Sequence, residues 1–433
     1  MNLDDWLSLL EQRHPQAIDM GLERCGEVYR RLGSPRPAKQ VFTVAGTNGK
    51  GSTVAYIAAM AGALGVRFGT FTSPHIFRFN ERISVMGEPV SDACLVRAFE
   101  RVEKFRGDIS LTYFEFTTLA GLLILQQAKL DCAVLEVGLG GRLDTVNLVD
   151  TDCAVITPIG LDHQEYLGPD LSSIATEKAG ILRHGKPVVC TQARPPKEIL
   201  KVAGSLQAPV YQRGVGFELS ERPDSIESPL LFTMGNSSLR VPRPCMDGPH
   251  QLDNLAAAMA ALVLMRPECL LKANEMATAI RDCQVPGRLQ KVNTAPEILL
   301  DVGHNELAAA AIAAFLKENS RPDTICVLAM FADKSAEAVA RAMDEVCHHW
   351  LCADSPGPRG QTGAQLAGRI KAALPDARVG DFSSVEQALQ SAMSLAMNDE
   401  TILVFGSFTT VSAAAVWIKN SLQRDWHDAA KLT

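Results

Sequence analysis

The chain is 433 residues long, 47% of them apolar, and carries a formal net charge of −7. That length and apolar content can fill two or three packed domains, which excludes a disordered chain. The acidic balance excludes a general nucleic-acid surface, which needs a basic field. The longest apolar run, Leu255 to Met265, is too short to span a bilayer, and Met1-Asn2-Leu3-Asp4-Asp5 lacks the basic, then apolar, layout of a signal peptide. A cytoplasmic protein without a membrane partner is expected. The eleven cysteines include no Cys-x-x-Cys pair, which favours reduced, buried thiols over a disulfide framework or a zinc ribbon.

In chain order, the first apolar runs are Val41–Ala45, Val66–Phe71, Cys132–Val137, Ala154–Thr157 and Pro187–Cys190, with helical patterns between them. Continuous short apolar runs alternating with helices predict a buried, mostly parallel, doubly wound sheet. Weaker strand patterns at Val210–Gln212, Leu230–Thr233 and Ser238–Val241 are expected to form a small antiparallel patch. Helices follow over His250–Arg266 and Glu268–Asp282, and Val285-Pro286-Gly287-Arg288 then breaks the periodicity. Alternation restarts with strands at Ile298–Asp301, Ile325–Ala329, Trp350–Ala353 and Ile402–Phe405 and with helices beginning near Glu306, Ser335, Gly360 and Ser383. The expected fold is α/β: a phosphate-loop ATPase domain over 1–285 and a smaller Rossmann-like domain over 286–433. Cys347-His348-His349-Trp350-Leu351-Cys352 is read as a helix end entering a strand, with its cysteines poorly spaced for a metal.

The chemistry begins where the first strand runs into Gly46-Thr47-Asn48-Gly49-Lys50-Gly51-Ser52 and a helical pattern from Val54 to Leu64. Backbone N–H groups of a glycine-rich turn can converge on phosphate oxygens without Cβ clashes, and a helix N-terminus favours the anion. Lys50 is expected on the terminal phosphates, with Thr47, Ser52 or Thr53 near them or near their magnesium. The loop departs from the common phosphate-loop pattern, since the glycine spacer is shorter and Gly51 separates the lysine from Ser52.

Three more polar residues follow strand ends: Ser73 after Val66–Phe71, Glu136 within Cys132–Val137, and His163 after Ala154–Thr157 in Gly160-Leu161-Asp162-His163. In an open parallel sheet the carboxyl ends share one edge, so all three are expected beside the phosphate loop. A hydroxyl and a carboxylate there suit magnesium, which prefers oxygen; the histidine needs a further warrant.

These runs, with Thr72-Ser73-Pro74-His75, Asn80-Glu81-Arg82-Ile83 and Glu136-Val137-Gly138-Leu139-Gly140-Gly141-Arg142-Leu143-Asp144, resemble the folylpolyglutamate synthase/dihydrofolate synthase family, the folate branch of the Mur ligase superfamily. The resemblance covers nearly the whole chain, from Ile18-Asp19-Met20-Gly21-Leu22-Glu23-Arg24 to Phe405-Gly406-Ser407-Phe408. It implies an ATP-dependent amide ligase that joins L-glutamate to dihydropteroate and to reduced folates through an acyl phosphate, with ATP and two magnesium ions. It also implies magnesium ligands at Ser73, Glu136 and His163, and a carbamylated lysine at Lys178 in Ala175-Thr176-Glu177-Lys178-Ala179-Gly180-Ile181.

By the same resemblance, Asn254, Arg288 and Asp301 contact ATP, and His304 lies near the reacting phosphate. An asparagine amide pairs a donor with an acceptor, which suits an adenine edge. The pterin is expected against Asp19, Met20, Thr112, Tyr113, Phe114, Glu115, Leu143, Asp144 and Thr145, with Asp144 accepting from its amino and ring N–H groups. Arg82 is a further expected substrate contact, and Ser407 an expected glutamate contact. The sequence departs from the family wording at Val302-Gly303 and at Asp144-Thr145-Val146-Asn147, which bears on fine substrate preference. A monomer is expected. The competing readings are a monofunctional member of the family, another Mur-type ligase, a non-catalytic ATP-binding regulator and a generic phosphate-loop kinase.

Overall fold

Short runs of β-branched and apolar residues form strands wherever helices can cover both faces, and this chain does so twice. The computed structural model describes residues 1–14, 18–221, 229–321 and 323–422. It divides into two compact units. The first comprises Met1–Ile159, His163–Cys245 and Leu252–Cys283; the second comprises Gly160–Asp162, Met246–Gln251 and Gln284–Thr433.

The first unit holds β1 (Ala38–Ala45), β2 (Phe68–Phe71), β3 (Ile83–Val85), β4 (Glu88–Pro89), β5 (Leu130–Glu136), β6 (Cys153–Ile156), β7 (Val188–Cys190) and β8 (Val210–Gln212) in one sheet, ordered β4-β3-β2-β5-β1-β6-β7-β8. The six strands from β2 to β8 in that order run parallel, and β3 and β4 add an antiparallel hairpin at the edge. The central strands carry their side chains into cores on both faces, which is why they read as unbroken apolar runs. A small antiparallel sheet of β9 (Glu218–Glu221), β10 (Leu230–Met234) and β11 (Ser237–Val241) completes this unit.

Val210–Gln212 therefore departs from expectation. It follows the helix Lys197–Ser205 as one more crossover and pairs parallel with β7, and Glu218–Glu221 takes its expected place in the antiparallel patch. The expected helix Glu268–Asp282 is also divided: Pro267–Leu271 is a 3-10 turn, and the α-helix runs over Ala273–Asp282.

In the second unit, β12 (Gln290–Thr294), β13 (Glu297–Asp301), β14 (Ile325–Leu328), β15 (His349–Ala353), β16 (Arg378–Phe382) and β17 (Thr401–Phe405) form a sheet ordered β12-β13-β17-β14-β15-β16. Only β12 is antiparallel to its neighbour. β16 has no apolar run because it is a half-exposed edge strand, so its pattern is diluted.

All eleven cysteines are free thiols, and burial pushes several of them up, Cys132 and Cys153 to about 12. Among the described residues no helix is long and apolar enough to cross a membrane.

Trp350 is the largest fully buried side chain of the second unit; it packs near Phe405 with ring centroids 6.4 Å apart, and its Nε1 has no hydrogen-bond partner. Trp350→Ala should cost about 3–5 kcal/mol in the denaturant transition of that unit. Trp350→Phe, which removes the unsatisfied N–H and keeps most of the volume, should cost clearly less.

Candidate active site

Strand register places the first group of side chains. Val44 pairs with Glu136, Ala45 with Ile156, and Phe71 with Leu135, so β1, β2, β5 and β6 end at one level. The turn Gly46–Ser52 leaves β1 at that edge and opens the helix Lys50–Ala63. Gly49 caps the helix at φ +84°, in the left-handed region, and a Cβ there would run into the Asn254 side chain. Glycine is required at this position both by conformation and by space. Thr47 and Asn48 donate their N–H groups to the Pro158 carbonyl at 2.9 and 3.4 Å.

Lys50 folds back over its own loop, with Nζ 3.1 Å from the Gly46 carbonyl and 3.0 Å from that of Thr47. Lys178 is 4% exposed, and its Nζ donates to the same Gly46 carbonyl at 2.8 Å from the last turn of the helix Leu171–Ala179. A lysine in this sequence setting is ordinarily a surface residue; here two ammonium groups meet one loop. The Glu136 carboxylate, 6% exposed, accepts the Ser73 N–H at 3.1 Å. His163 has φ +52° and opens the short helix Gln164–Leu167.

The chemistry of this donor set fits a magnesium-bound triphosphate. Ser52 Oγ is buried in the first helical turn with no hydrogen-bond partner, an oxygen that a phosphate-bound metal would satisfy. Among the described residues no three His, Cys, Asp or Glu side chains form a metal cluster. The expected set contains only two such residues, Glu136 and His163, and relies on a serine hydroxyl and a modified lysine for the rest. Asn254 is 1% exposed and lies against Gly49, rather than on the helix surface.

The expected pterin residues fall in the first unit, several of them already engaged. Thr112 and Glu115 form a capping box at the start of the helix Tyr113–Gln127, and Glu115 also takes Arg24 Nη2 at 2.9 Å. Arg24 reaches Asp19 as well, at 2.6 Å, so one guanidinium ties Asp19 to Glu115. The Tyr113 ring and the Phe79 ring flank the Arg82 guanidinium at 5.5 and 5.4 Å, and Arg82 Nε donates to His75 Nδ1 at 2.9 Å. Burial, with the Arg82 charge beside it, pushes the His75 imidazole down to about 4, which leaves it a neutral acceptor. The Phe114 ring covers Gly138, where a Cβ would clash with it. Met20 packs with Leu139 against the apolar core, and Thr145 Oγ1 lies 3.9 Å from Cys25 Sγ. Leu143 precedes Asp144 in the turn after β5.

Asp144 is 4% exposed and accepts the N–H groups of Leu139 and Val146, both at 2.9 Å. Burial pushes its carboxyl up to about 6, against the lowering effect of those N–H groups and of the Lys50 charge.

In the second unit, Asp301 ends β13 and accepts the N–H groups of Leu289 at 2.9 Å and Gly303 at 2.7 Å. The Arg288 guanidinium lies 5.6 Å from the Phe408 ring centre. Burial pushes the His250 imidazole down, against the nearby Asp301 charge and with the help of Arg288. His304 Nδ1 is 3.0 Å from the Val302 carbonyl and its Nε2 is 3.5 Å from Asp162 Oδ2. The Ser407 hydroxyl lies 2.8 Å from Thr409 Oγ1 and 2.6 Å from Thr410 Oγ1, and accepts the Thr410 N–H.

A cavity of about 570 Å³ opens at the carboxyl ends of β14 and β15, lined by Ser355, Gln361, Thr362, Ser384 and Thr410 among others. The helices Gly363–Ala373, Val385–Leu395 and Phe408–Leu422 all begin at it. Ser355 Oγ, on that lining, is buried without a partner.

Sequence reasoning passed over Asp162, Lys334 and Asn305. Lys334 donates to Asp162 Oδ1 at 2.5 Å, and Asn305 to its Oδ2 at 3.0 Å. The rule that singled out Ser73 and Glu136, polar residues just after parallel strands, applies equally to Lys334 after β14.

Ionisation of Asp144 should leave a pH signature. Its folded value of about 6 exceeds the ordinary 3.8, so the folded state holds the extra proton between those values. That contribution is whole below 3.8 and is lost as pH rises through about 6. The melting temperature of Asp144→Asn should therefore gain on the wild type across this window, and a constant difference would contradict the assignment.

Two family models match the chain: the Mur ligase middle domain over residues 44–262 and the Mur ligase glutamate ligase domain over residues 287–408. The dihydrofolate synthase/folylpolyglutamate synthase of Escherichia coli is 40% identical over 414 residues, spanning 95% of this chain and 94% of that one. Among solved structures, Escherichia coli FolC in complex with DHPP and ADP has a TM-score of 0.88 and 38% identity, covering 97% of this chain and 98% of its own. A bifunctional folylpolyglutamate synthase/dihydrofolate synthase with Mn, AMPPNP and L-glutamate bound has a TM-score of 0.87 and 39% identity, covering 98% of each chain.

Proposed function

Because this chain belongs to the Mur ligase family, in its dihydrofolate synthase/folylpolyglutamate synthase branch, we propose that it is an ATP-dependent ligase that adds L-glutamate to dihydropteroate and to reduced folates. The observation that carries the reading is the edge of the first sheet. There Lys50 and the buried Lys178 meet the glycine loop, and the Ser73–Glu136 pair lies at the same strand-end level, a setting that suits phosphoryl transfer to a carboxylate. A cytoplasmic setting, where ATP is available and thiols stay reduced, and a monomeric working form belong to the same reading.

The reaction is the activation of a poor acyl donor. The acceptor carboxylate attacks the γ-phosphorus of ATP, ADP leaves, and an acyl phosphate forms. The glutamate amine then attacks the acyl carbon, phosphate leaves, the nitrogen gives up a proton and the amide remains. Negative charge gathers in both steps, and cations held in a dry site stabilise it far more than water would. Lys50, released from the Gly46 and Thr47 carbonyls, takes the terminal phosphates, and the N–H groups of Gly46 to Ser52 line the chain of phosphates. Ser73, Glu136 and His163 would hold magnesium, which supplies Lewis-acid polarisation of the phosphoryl oxygens when bound.

Lys178 is the second metal's candidate ligand. The Lys178 ammonium gives up one proton, its neutral amine nitrogen then bonds to the carbon of carbon dioxide, and loss of a second proton from that nitrogen leaves a carbamate anion in place of the cation. A buried ammonium beside a second lysine is costly, and the exchange of sign relieves that cost. Asp144 would accept from the pterin amino and ring N–H groups, with Asp19, Met20, Thr112, Tyr113, Phe114, Glu115, Leu143, Thr145 and Arg82 around the substrate. Asn254, Arg288 and Asp301 would contact ATP, and His304 would lie near the reacting phosphate. The hydroxyl-lined cavity reached by three helix N-termini suits the carboxylates of glutamate, with Ser407 anchoring its Thr410 wall.

Phosphate release is expected from ATP, magnesium and glutamate with either dihydropteroate or tetrahydrofolate. Release with one acceptor alone would select a monofunctional enzyme, and release with neither would reject the folate reading. Lys178→Ala should lose most of its turnover and regain part of it with small carboxylic acids; full activity in that variant would rule out the carbamate.

A further inference from the structure

Taking the ligase reading as given, we propose that Asp162 is a positioning residue for the reaction: its buried carboxylate fixes the His304 imidazole that the reading sets beside the transferring phosphate. The Asp162 and Lys334 side chains are 8% and 6% exposed and meet at 2.5 Å. Taking two charges out of water costs several kcal/mol per ion, so a buried pair is weak evidence of added stability and better evidence of a geometry being held.

The geometry here is over-determined. Asp162 Oδ1 takes Lys334, and Oδ2 takes Asn305 Nδ2 at 3.0 Å and faces His304 Nε2 at 3.5 Å. Asn305 spends the other end of its amide as the cap of the helix Glu306–Glu318, accepting from Ala308 N at 3.0 Å. It therefore cannot turn without losing one of the two bonds. The other nitrogen of His304 faces the Val302 carbonyl at 3.0 Å, so both ring nitrogens are directed at oxygens.

Lys334 is steadied in turn. Arg369 donates to the Lys334 carbonyl at 2.8 Å and to both oxygens of Glu337, and Arg359 clasps both oxygens of the neighbouring Asp333. The loop after β13, the loop after β14 and the Gly160–Asp162 segment thus converge on one carboxylate.

The test uses Asp162→Asn in the full chain, which keeps the shape and removes the charge. Its kcat should fall about 100-fold, the scale of an ångström-sized misplacement, with the KM for ATP changed by less than about threefold. Asp162→Asn placed on His304→Ala should slow that variant no further, because the carboxylate acts through the ring. In the unliganded protein, the imidazole nitrogen signals of His304, identified by their loss in His304→Ala, should move in Asp162→Asn. Unchanged kcat, multiplying losses in the double variant, or unmoved imidazole signals would each overturn the proposal. The last readout needs no turnover, so it judges Asp162 even if the wild type uses neither folate acceptor. Should Asp162→Asn fail to fold, Lys334→Gln, which releases the other oxygen of the same carboxylate, carries the same expectations.

Discussion

The alignment of β1 between β5 and β6 is the constraint on which the first unit's chemistry rests. Parallel strands in register must end together, and whatever the chain does next it does at one edge. Gly46, Glu136 and the Pro158 carbonyl are neighbours for that reason, although some 90 and 110 residues separate them along the chain. Lys178 then reaches the same edge from a helix that packs on the sheet. The apolar burial of the strands and the gathering of polar groups at their ends are one event seen from two sides.

Both units hold charge out of water, by different means. In the first, ammonium groups rest on backbone carbonyls and a carboxylate rests on a backbone N–H. These contacts are replaceable when a stronger ligand arrives, because a carbonyl is a weaker partner for a lysine than a phosphate is. In the second, Asp162 and Lys334 are matched to each other and braced by flanking arginines, so the arrangement is closed.

Much of this was legible in the residues. The phosphate loop, the strand ends at Ser73 and Glu136, and the restart of alternation after Pro286 follow from periodicity and from the shared edge of parallel strands. Burial of individual polar residues was not legible. Lys178 and Asn254 sit in patterns that suit a surface helix, and only the close approach of other elements makes them interior. Thr112 and Glu115 illustrate the reverse: their spacing is a helix-capping signature, and the structure uses both that way whatever else they touch. The half-exposed β16 and the crossover strand β8 were blurred because short edge strands lack a continuous apolar run.

The hairpin that closes one side of the large sheet has a consequence for how the protein behaves in a crowded solution. β4 is only Glu88–Pro89, both exposed, so its outermost rung offers a carboxylate and a residue with no N–H to donate. A foreign strand seeking to extend the ladder meets repulsion and a missing donor within two residues. That border of the sheet is thus guarded against templated aggregation by its brevity and its proline.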